Sequence, residues 1–225
     1  MSEKKSHETT DQEVANKAIG FWEKNKNLII SASAIVLLAV GGYFGYMNFI
    51  QLPKQQKASE EMFTAEKYFR TDSFSLALIG NASVAGFIKI INKYDGTPAA
   101  NLAKLYAGES YLHMGEYQKA ADMLKDFNAG GAKQVEAKAE GLLGDAYAEL
   151  KKNDDAISHY KKAGTLFEED QAISSEYLFR AALLNEISGN NEQAIELYQQ
   201  LKDKYPRTEK GFVVDKYLAR LGATK

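Results

Sequence analysis

The chain has 225 residues, with 28 lysines and arginines against 30 acids and no cysteine. A formal net charge of −2 gives no basic footprint for nucleic acid, and the missing cysteines exclude disulfides, thiolate metal sites and a cysteine nucleophile. Only three prolines occur among abundant Ala, Leu, Lys, Glu and Gln, a composition that favours helix.

The first segment, residues 1–27, is polar and carries lysines and acids in equal number. Val14, Ala18 and Trp22 fall at helical spacing, which is typical of a short amphipathic helix lying at a membrane interface. The alternative is a tail without regular structure that ends in an anchoring Trp.

An uncharged apolar stretch follows from Leu28 to Ile50. As a helix it would be about 34 Å long, enough to cross a hydrocarbon core of about 30 Å. A buried core helix is usually shorter, and a signal peptide combines a shorter apolar run with a small-residue cleavage site. The sequence therefore predicts an uncleaved transmembrane helix over 28–50, in which Gly41 and Gly45 form a small-xxx-small pair that faces either another helix or lipid.

Charge does not decide the orientation of this span. The tail carries five basic residues, and the first twenty residues beyond the span carry four. This difference is too small for the positive-inside rule.

Residues 51–80 are predicted to form a linker. A helix over residues 55–70 has one apolar stripe, and residues 71–80 form a break with no clear period. The stripe consists of Ala58, Met62, Ala65 and Phe69.

From Asn81 onward the chain repeats itself with a period near 36 residues. A small residue recurs at intervals of 37, 36 and 38, and a large residue follows it four positions later. The small residues are Ser83, Ala120, Ala156 and Ala194, and the large ones are Phe87, Leu124, Tyr160 and Tyr198. Such a period predicts a solenoid of stacked helix pairs, in which small residues let paired helices approach closely.

The first helix of each pair agrees with this period. Ala107-Gly108 with Tyr111 returns as Leu143-Gly144 with Tyr147, and Ala181-Ala182 is a third copy with Asn185 in place of Tyr. These residues resemble the tetratricopeptide repeat pattern. We predict an all-α protein: one N-terminal transmembrane helix, then a tetratricopeptide-like helix-pair solenoid over 81–225. The helix over 55–70 would cap its start, and a helix from Thr208 to Gly222 would close its end.

The first helices of such a solenoid line a concave face. Exposed apolar residues among acids on that face suit an extended or helical peptide partner. The predicted partner-binding residues are Leu105, Glu109, Leu112, Asp145, Phe179, Leu183 and Ile187, with Gly141 and Ala148 between them. The alternative is that the chain's own helices cover Leu105, Leu112, Phe179 and Leu183.

No catalytic constellation is found. His7, His113 and His159 lie far apart and show no metal-ligand spacing, and there is no glycine-rich loop that could cradle a phosphate. The sequence therefore predicts neither an enzyme nor a cofactor or metal site.

The run Gly96-Thr97-Pro98-Ala99-Ala100-Asn101-Leu102-Ala103, leading into Ala107-Gly108, together with the span and linker helix, resembles the YfgM family of ancillary Sec translocon subunits. The resemblance implies a bacterial inner-membrane protein with a cytoplasmic tail and periplasmic repeats. It implies partnership with SecYEG and the membrane-anchored chaperone PpiD, assisting unfolded client polypeptides as they emerge. The orientation rests on this resemblance. The alternatives are a scaffold of another envelope complex and an adaptor that faces the cytoplasm.

Overall fold

The structure is a computed structural model that describes the backbone of residues 3–223 and the side chains of residues 16–223. All regular elements in this part of the chain are helical, apart from an isolated bridge between Gly80 and Ala85. The prediction of an all-α fold is confirmed.

The elements follow one another along the chain and divide into two compact units, residues 1–53 and residues 54–225. They are α1 (Glu3–Tyr46), a π-helical turn (Met47–Gln51), α2 (Leu52–Arg70), α3 (Phe74–Ile79), α4 (Phe87–Lys93), α5 (Pro98–His113), α6 (Tyr117–Lys125), α7 (Lys133–Glu149), α8 (Asn153–Leu166), α9 (Gln171–Ile187), α10 (Asn191–Lys204) and α11 (Glu209–Arg220).

The first unit contains α1 and the π-helical turn. Within the helical residues Asn16–Arg70, an 18-residue window has a mean hydropathy of 2.1, and none of it is buried. By length and composition this is a candidate membrane span. The π-helical turn precedes Pro53, which has no N–H to donate to the carbonyl of Phe49. The Leu52 N–H bonds to the Met47 carbonyl, five residues back, which is the π-helical pattern. The predicted amphipathic helix of the tail depends partly on Val14, which lies outside the described side chains.

The second unit is built from helix pairs. α5 packs on α6, α7 on α8 and α9 on α10, and each second helix also packs on the first helix that follows it. This confirms the predicted solenoid of stacked pairs. The predicted small residues lie at the contacts. A Cβ added at Gly108 would lie 2.5 Å from Leu124, and one at Gly144 would lie 2.4 Å from Tyr160.

The first helices share one way of ending. At each end, a backbone N–H just beyond the helix bonds at 2.9 Å to the carbonyl five residues earlier. The residue immediately before this N–H has a positive φ. This is the Schellman geometry that satisfies the last carbonyls of a helix. The donor-to-acceptor pairs are Ser73 to Tyr68, Glu116 to Tyr111, Lys152 to Tyr147, Asn190 to Asn185 and Ala223 to Leu218.

The same ending places α2 and α11 in the class of first helices. Ala65 and Tyr68 of α2 have the spacing of Gly108 and Tyr111, and Ala65 is fully buried. The apolar stripe of α2 packs on the side chains of α4, including Phe87. The unit that precedes Ala107 therefore has a first helix with repeat-like features.

The connection between α2 and α4 differs from the prediction. The sequence predicts a break over residues 71–80, whereas this segment contains α3. The ring of Phe74 stacks on His113 at 4.2 Å, so α3 packs on the end of α5. Six residues are too few to show a helical period, so the sequence pattern does not reveal this helix.

Three first helices begin at a side-chain cap. Thr97 and Thr208 accept from the N–H three residues later through their Oγ1 atoms, at 3.2 and 3.0 Å, and Asp170 does so through Oδ1 at 3.1 Å. These caps satisfy donors at the start of α5, α11 and α9. α7 follows a loop over residues 126–132, and its N-cap residue, Ala132, provides no side-chain cap.

Candidate functional site

The candidate site is the first-helix face, defined as the side of α5, α7, α9 and α11 that carries Glu109, Asp145, Arg180 and Lys210. Ion pairs join each of these helices to the next. Lys138 Nζ lies 2.8 Å from Glu109 Oε2, Arg180 Nη1 lies 2.6 Å from Asp145 Oδ1, and Lys210 Nζ lies 3.2 Å from Glu176 Oε2. These pairs are partly exposed, so each contributes little stability, but together they fix alternating charges along the face.

Arg180 is the centre of this network. It also donates from Nε to Glu176 Oε1 at 2.7 Å, and Tyr160 donates its hydroxyl to Asp145 Oδ1 at 2.7 Å. Burial acts to lower the pKa of Arg180, but Glu176 and Asp145 outweigh it and raise that pKa further. Burial, reinforced by Asp145, raises the pKa of Tyr160. The guanidinium and the neutral phenol therefore keep these protonation states throughout the physiological range.

A small pocket lies beside Arg180 and has a volume of about 270 Å³. Its lining residues are Ala148, Tyr160, Arg180, Leu183, Leu184 and Ile187. This is below the roughly 300–1,000 Å³ of typical small-molecule sites. We call it the Leu183 pocket. Its size and mainly apolar lining fit an anchoring side chain of a polypeptide partner, with a charged network at one end to fix orientation.

The structure separates the predicted partner-binding residues into three groups. Leu105 and Phe179 are only 5% and 8% exposed, so neither side chain is available to a partner. For these two, the alternative that the chain's own helices cover them holds. Phe179 lies against the rings of Tyr198 and Tyr217, at centroid distances of 5.9 and 5.0 Å.

Gly141 is also buried, because the ring of Tyr177 occupies the space where a Cβ would be. Glu109, Leu112, Asp145 and Leu183 are half-buried.

Ile187 is 70% exposed. Together with Leu183 and Ala148 it forms the predicted apolar surface that the structure does bring to one place.

Sequence reasoning missed Tyr177, Arg180 and Lys210. Arg180 stands four positions after Glu176, a spacing that places opposite charges together on a helix, so this pair was detectable. The contact of Lys210 with Glu176 joins α11 to α9. Because these residues are far apart in sequence, no spacing pattern predicts it.

The glycine pair of the candidate membrane span lies in the first compact unit. Gly41 is exposed and Gly45 is half-buried, and a Cβ added at either position meets no atom within 4 Å. Their surface is free of neighbours within that unit.

Groups of acids and histidines with metal-ligand geometry are not found among the described residues. His113 stacks on Phe74, and His159 Nδ1 lies 2.6 Å from Glu140 Oε2. The side chain of His7 lies outside the described residues.

Comparison with known families decides the class of the protein. Residues 20–135, just over half of the chain, match the tetratricopeptide repeat-like domain. The chain belongs to this family. Residues 176–208 of this tetratricopeptide repeat-like protein also match the tetratricopeptide repeat model, and they include α10 and most of α9. The family match includes the apolar stretch 28–50 as well as α2 and the first full helix pair.

A comparison with curated proteins gives no match. Among solved structures, a crystal structure of nearly identical TPR-like repeats from a Podospora anserina kinesin light chain is similar, with a TM-score of 0.57. The identity is 13%, and the match covers 74% of this chain and 85% of the other. At this identity the likeness shows the fold alone. Tetratricopeptide repeats form protein-interaction modules, and that is the class of function the fold supports.

Proposed function

We propose that this protein is a membrane-anchored, non-catalytic interaction module of the bacterial inner membrane. Its tail lies in the cytoplasm and its repeats lie in the periplasm. Through the resemblance to the YfgM family, it acts as an accessory subunit of the Sec translocon beside SecYEG and a PpiD-like chaperone. There it assists client polypeptides as they emerge.

One observation carries the anchored part of this proposal. The family match begins at residue 20 and runs through the apolar stretch into the helix pairs. None of the 18-residue apolar window is buried. An apolar helix of this length that finds no protein cover is stable in lipid, because it satisfies its own backbone polar groups.

The first-helix face supports the interaction part. A partner polypeptide would place an apolar side chain in the Leu183 pocket against Ile187, next to the Asp145–Arg180 pair. Apolar anchors surrounded by fixed charges are the usual basis of specific protein binding.

The test is photo-crosslinking in intact membranes followed by mass spectrometry. A photoreactive residue at Ile187 should capture SecYEG subunits, a PpiD-like chaperone or client chains. The matched control is the same residue at Phe63, a 72% exposed position on α2. Capture of none of these three at Ile187 would refute the proposal. Capture of a secretion or division complex would instead favour the scaffold alternative.

Orientation needs a separate measurement. Protease added to spheroplasts should digest the helix pairs while leaving the tail intact, because the pairs are proposed to face the periplasm. A protected repeat domain would favour the cytoplasm-facing adaptor.

A further inference from the structure

A second cavity lies away from the first-helix face, between α6, α7 and α8. Its volume is about 660 Å³, and the loop over residues 126–132 forms part of its wall. The apolar lining includes Leu124, Phe127, Ala139 and Leu143, and the polar lining includes Lys125, Asp126, Glu136, Glu140, His159 and Lys162. We call it the α6 cavity.

The cavity exists because α6 ends early. α8 and α10 each end ten residues after their aligned alanines, Ala156 and Ala194, whereas α6 ends five residues after Ala120. The last turn of α8 covers the start of α9, since a Cβ added at Gly164 would lie 2.7 Å from Leu178. α6 lacks the corresponding turns, and Glu136 and Glu140 near the start of α7 stay partly exposed.

The size of the cavity agrees with this origin. Five helical residues are about 7.5 Å long, and a helix about 10 Å wide therefore fills roughly 600 Å³ over that length. This is close to the 660 Å³ of the α6 cavity. The space fits about one and a half turns of helix.

The residues of α7 that face this space differ from those of α9. Aligning Leu143-Gly144 with Ala181-Ala182 places Glu136 opposite Ser174 and Glu140 opposite Leu178. Ser174 and Leu178 are 0% and 1% exposed beneath α8. Where α9 has a buried surface for the chain's own helix, α7 therefore presents two carboxylates one turn apart.

The charged lining has an acidic excess of one, with Asp126, Glu136 and Glu140 against Lys125 and Lys162. Lys162 bridges the two carboxylates, with Nζ 2.7 Å from Glu140 Oε1 and 3.5 Å from Glu136 Oε1. Burial acts to raise the pKa of Glu140, but hydrogen bonds from His159 and Lys162 outweigh it and lower that pKa. Glu140 is thus already paired, whereas Glu136 is held only by the longer contact and has a 36% exposed side chain.

The chain's own helices give a template for the occupant. The turns at the ends of α8 and α10 combine lysines with small or aliphatic residues, as in Lys161, Lys162 and Ala163 and again in Leu201, Lys202 and Lys204. A partner segment of the same kind would place aliphatic side chains on the apolar floor and a lysine or arginine near Glu136.

We propose that the α6 cavity is a docking site for the end of a basic amphipathic helix from a partner polypeptide. This site is separate from the first-helix face and does not depend on the identity of the translocon partner. The docked turns complete the helix that α6 leaves short.

The test uses the full chain in detergent micelles and fluorescence anisotropy. The probe is a fluorescein-labelled, alanine-based helical peptide of about 15 residues whose last two turns carry two leucines and two lysines. The control peptide has glutamates in place of the lysines. The lysine peptide should bind at least about tenfold more tightly than the control, because like charges at the cavity repel the latter.

Variants locate the binding. Glu136→Gln should weaken the lysine peptide about fivefold, the effect of losing one exposed ion pair. Glu149→Gln, on the same helix but outside the cavity, and Ile187→Ala, on the first-helix face, should leave binding unchanged. The proposal would be overturned if the lysine peptide did not bind, or if the two peptides bound equally. It would also be overturned if Glu136→Gln and Glu149→Gln had equal effects, or if Ile187→Ala abolished binding.

Discussion

Ile187 gives the sharpest test of the first-helix face. It is 70% exposed and lines the Leu183 pocket. Fully burying an isoleucine side chain is favourable by about 1.5–3 kcal/mol, so covering its exposed part would contribute about 1–2 kcal/mol. Ile187→Ala should therefore raise the Kd for the partner about fivefold to thirtyfold.

The measurement is a titration of the detergent-solubilised chain against purified SecYEG with its chaperone. Phe63→Ala is the matched control, since Phe63 is 72% exposed but lies on α2. Both variants should keep the wild-type Tm, because exposed positions change stability by under about 0.5 kcal/mol. An unchanged Kd for Ile187→Ala, or an equal loss for Phe63→Ala, would refute the assignment of this face.

Three further predictions concern stability, pH and the span. Leu178→Ala removes a side chain that is 1% exposed, and it should cost about 3 kcal/mol and lower the Tm by about 6–12 °C; a smaller drop than about 2 °C would contradict the packing described. Burial acts to raise the pKa values of Glu140 and Glu176, but hydrogen bonds from neighbouring side chains outweigh it and hold both values below the ordinary 4.5. The neighbours are His159 and Lys162 at Glu140, and Arg180 and Lys210 at Glu176. The stabilisation from these two carboxylates is full above that ordinary value and is lost as the pH falls through the lower folded-state pKa values, so the Tm should be flat from about pH 7 to 5.5 and fall below about 4.5. Glu140→Gln should flatten that fall, and an identical profile would exclude this carboxylate as a cause. Replacing Gly41 and Gly45 together with leucine should weaken partner recovery from membranes without changing the Tm, and full recovery would assign the pair to lipid.

Much of the fold could be predicted because the repeat depends on local residues. Small residues are required where the two helices of a pair touch, as at Gly108 against Leu124. The repeat period can therefore be recognised from the sequence alone. Caps behave in the same way, since Thr97 and Thr208 bond to backbone only three residues away.

The remainder depends on contacts that are distant in sequence. Phe179 has the position expected of a partner-binding residue, yet Tyr217 of α11 covers it. Similarly, the sequence near Leu124 does not indicate that α6 ends early, because the residues aligned between repeats keep the repeat pattern as far as Phe127. Whether a first-helix residue is buried depends on which later helix of the chain packs over it. The local repeat period does not indicate which helix that is.

The uniform ending of the first helices has a consequence for how such chains can lengthen. Outside their own pair, α9 and α10 pack mainly on α8 and α11, and the turn that closes α9 is the same as the one that closes α5 and α7. A second copy of residues 170–207 placed in tandem would keep the existing contacts with α8 and α11 at its two outer sides. It would add one new contact, between α10 of the first copy and α9 of the second. Duplication of whole units can extend the molecule by fixed increments while both extremities keep their sequences.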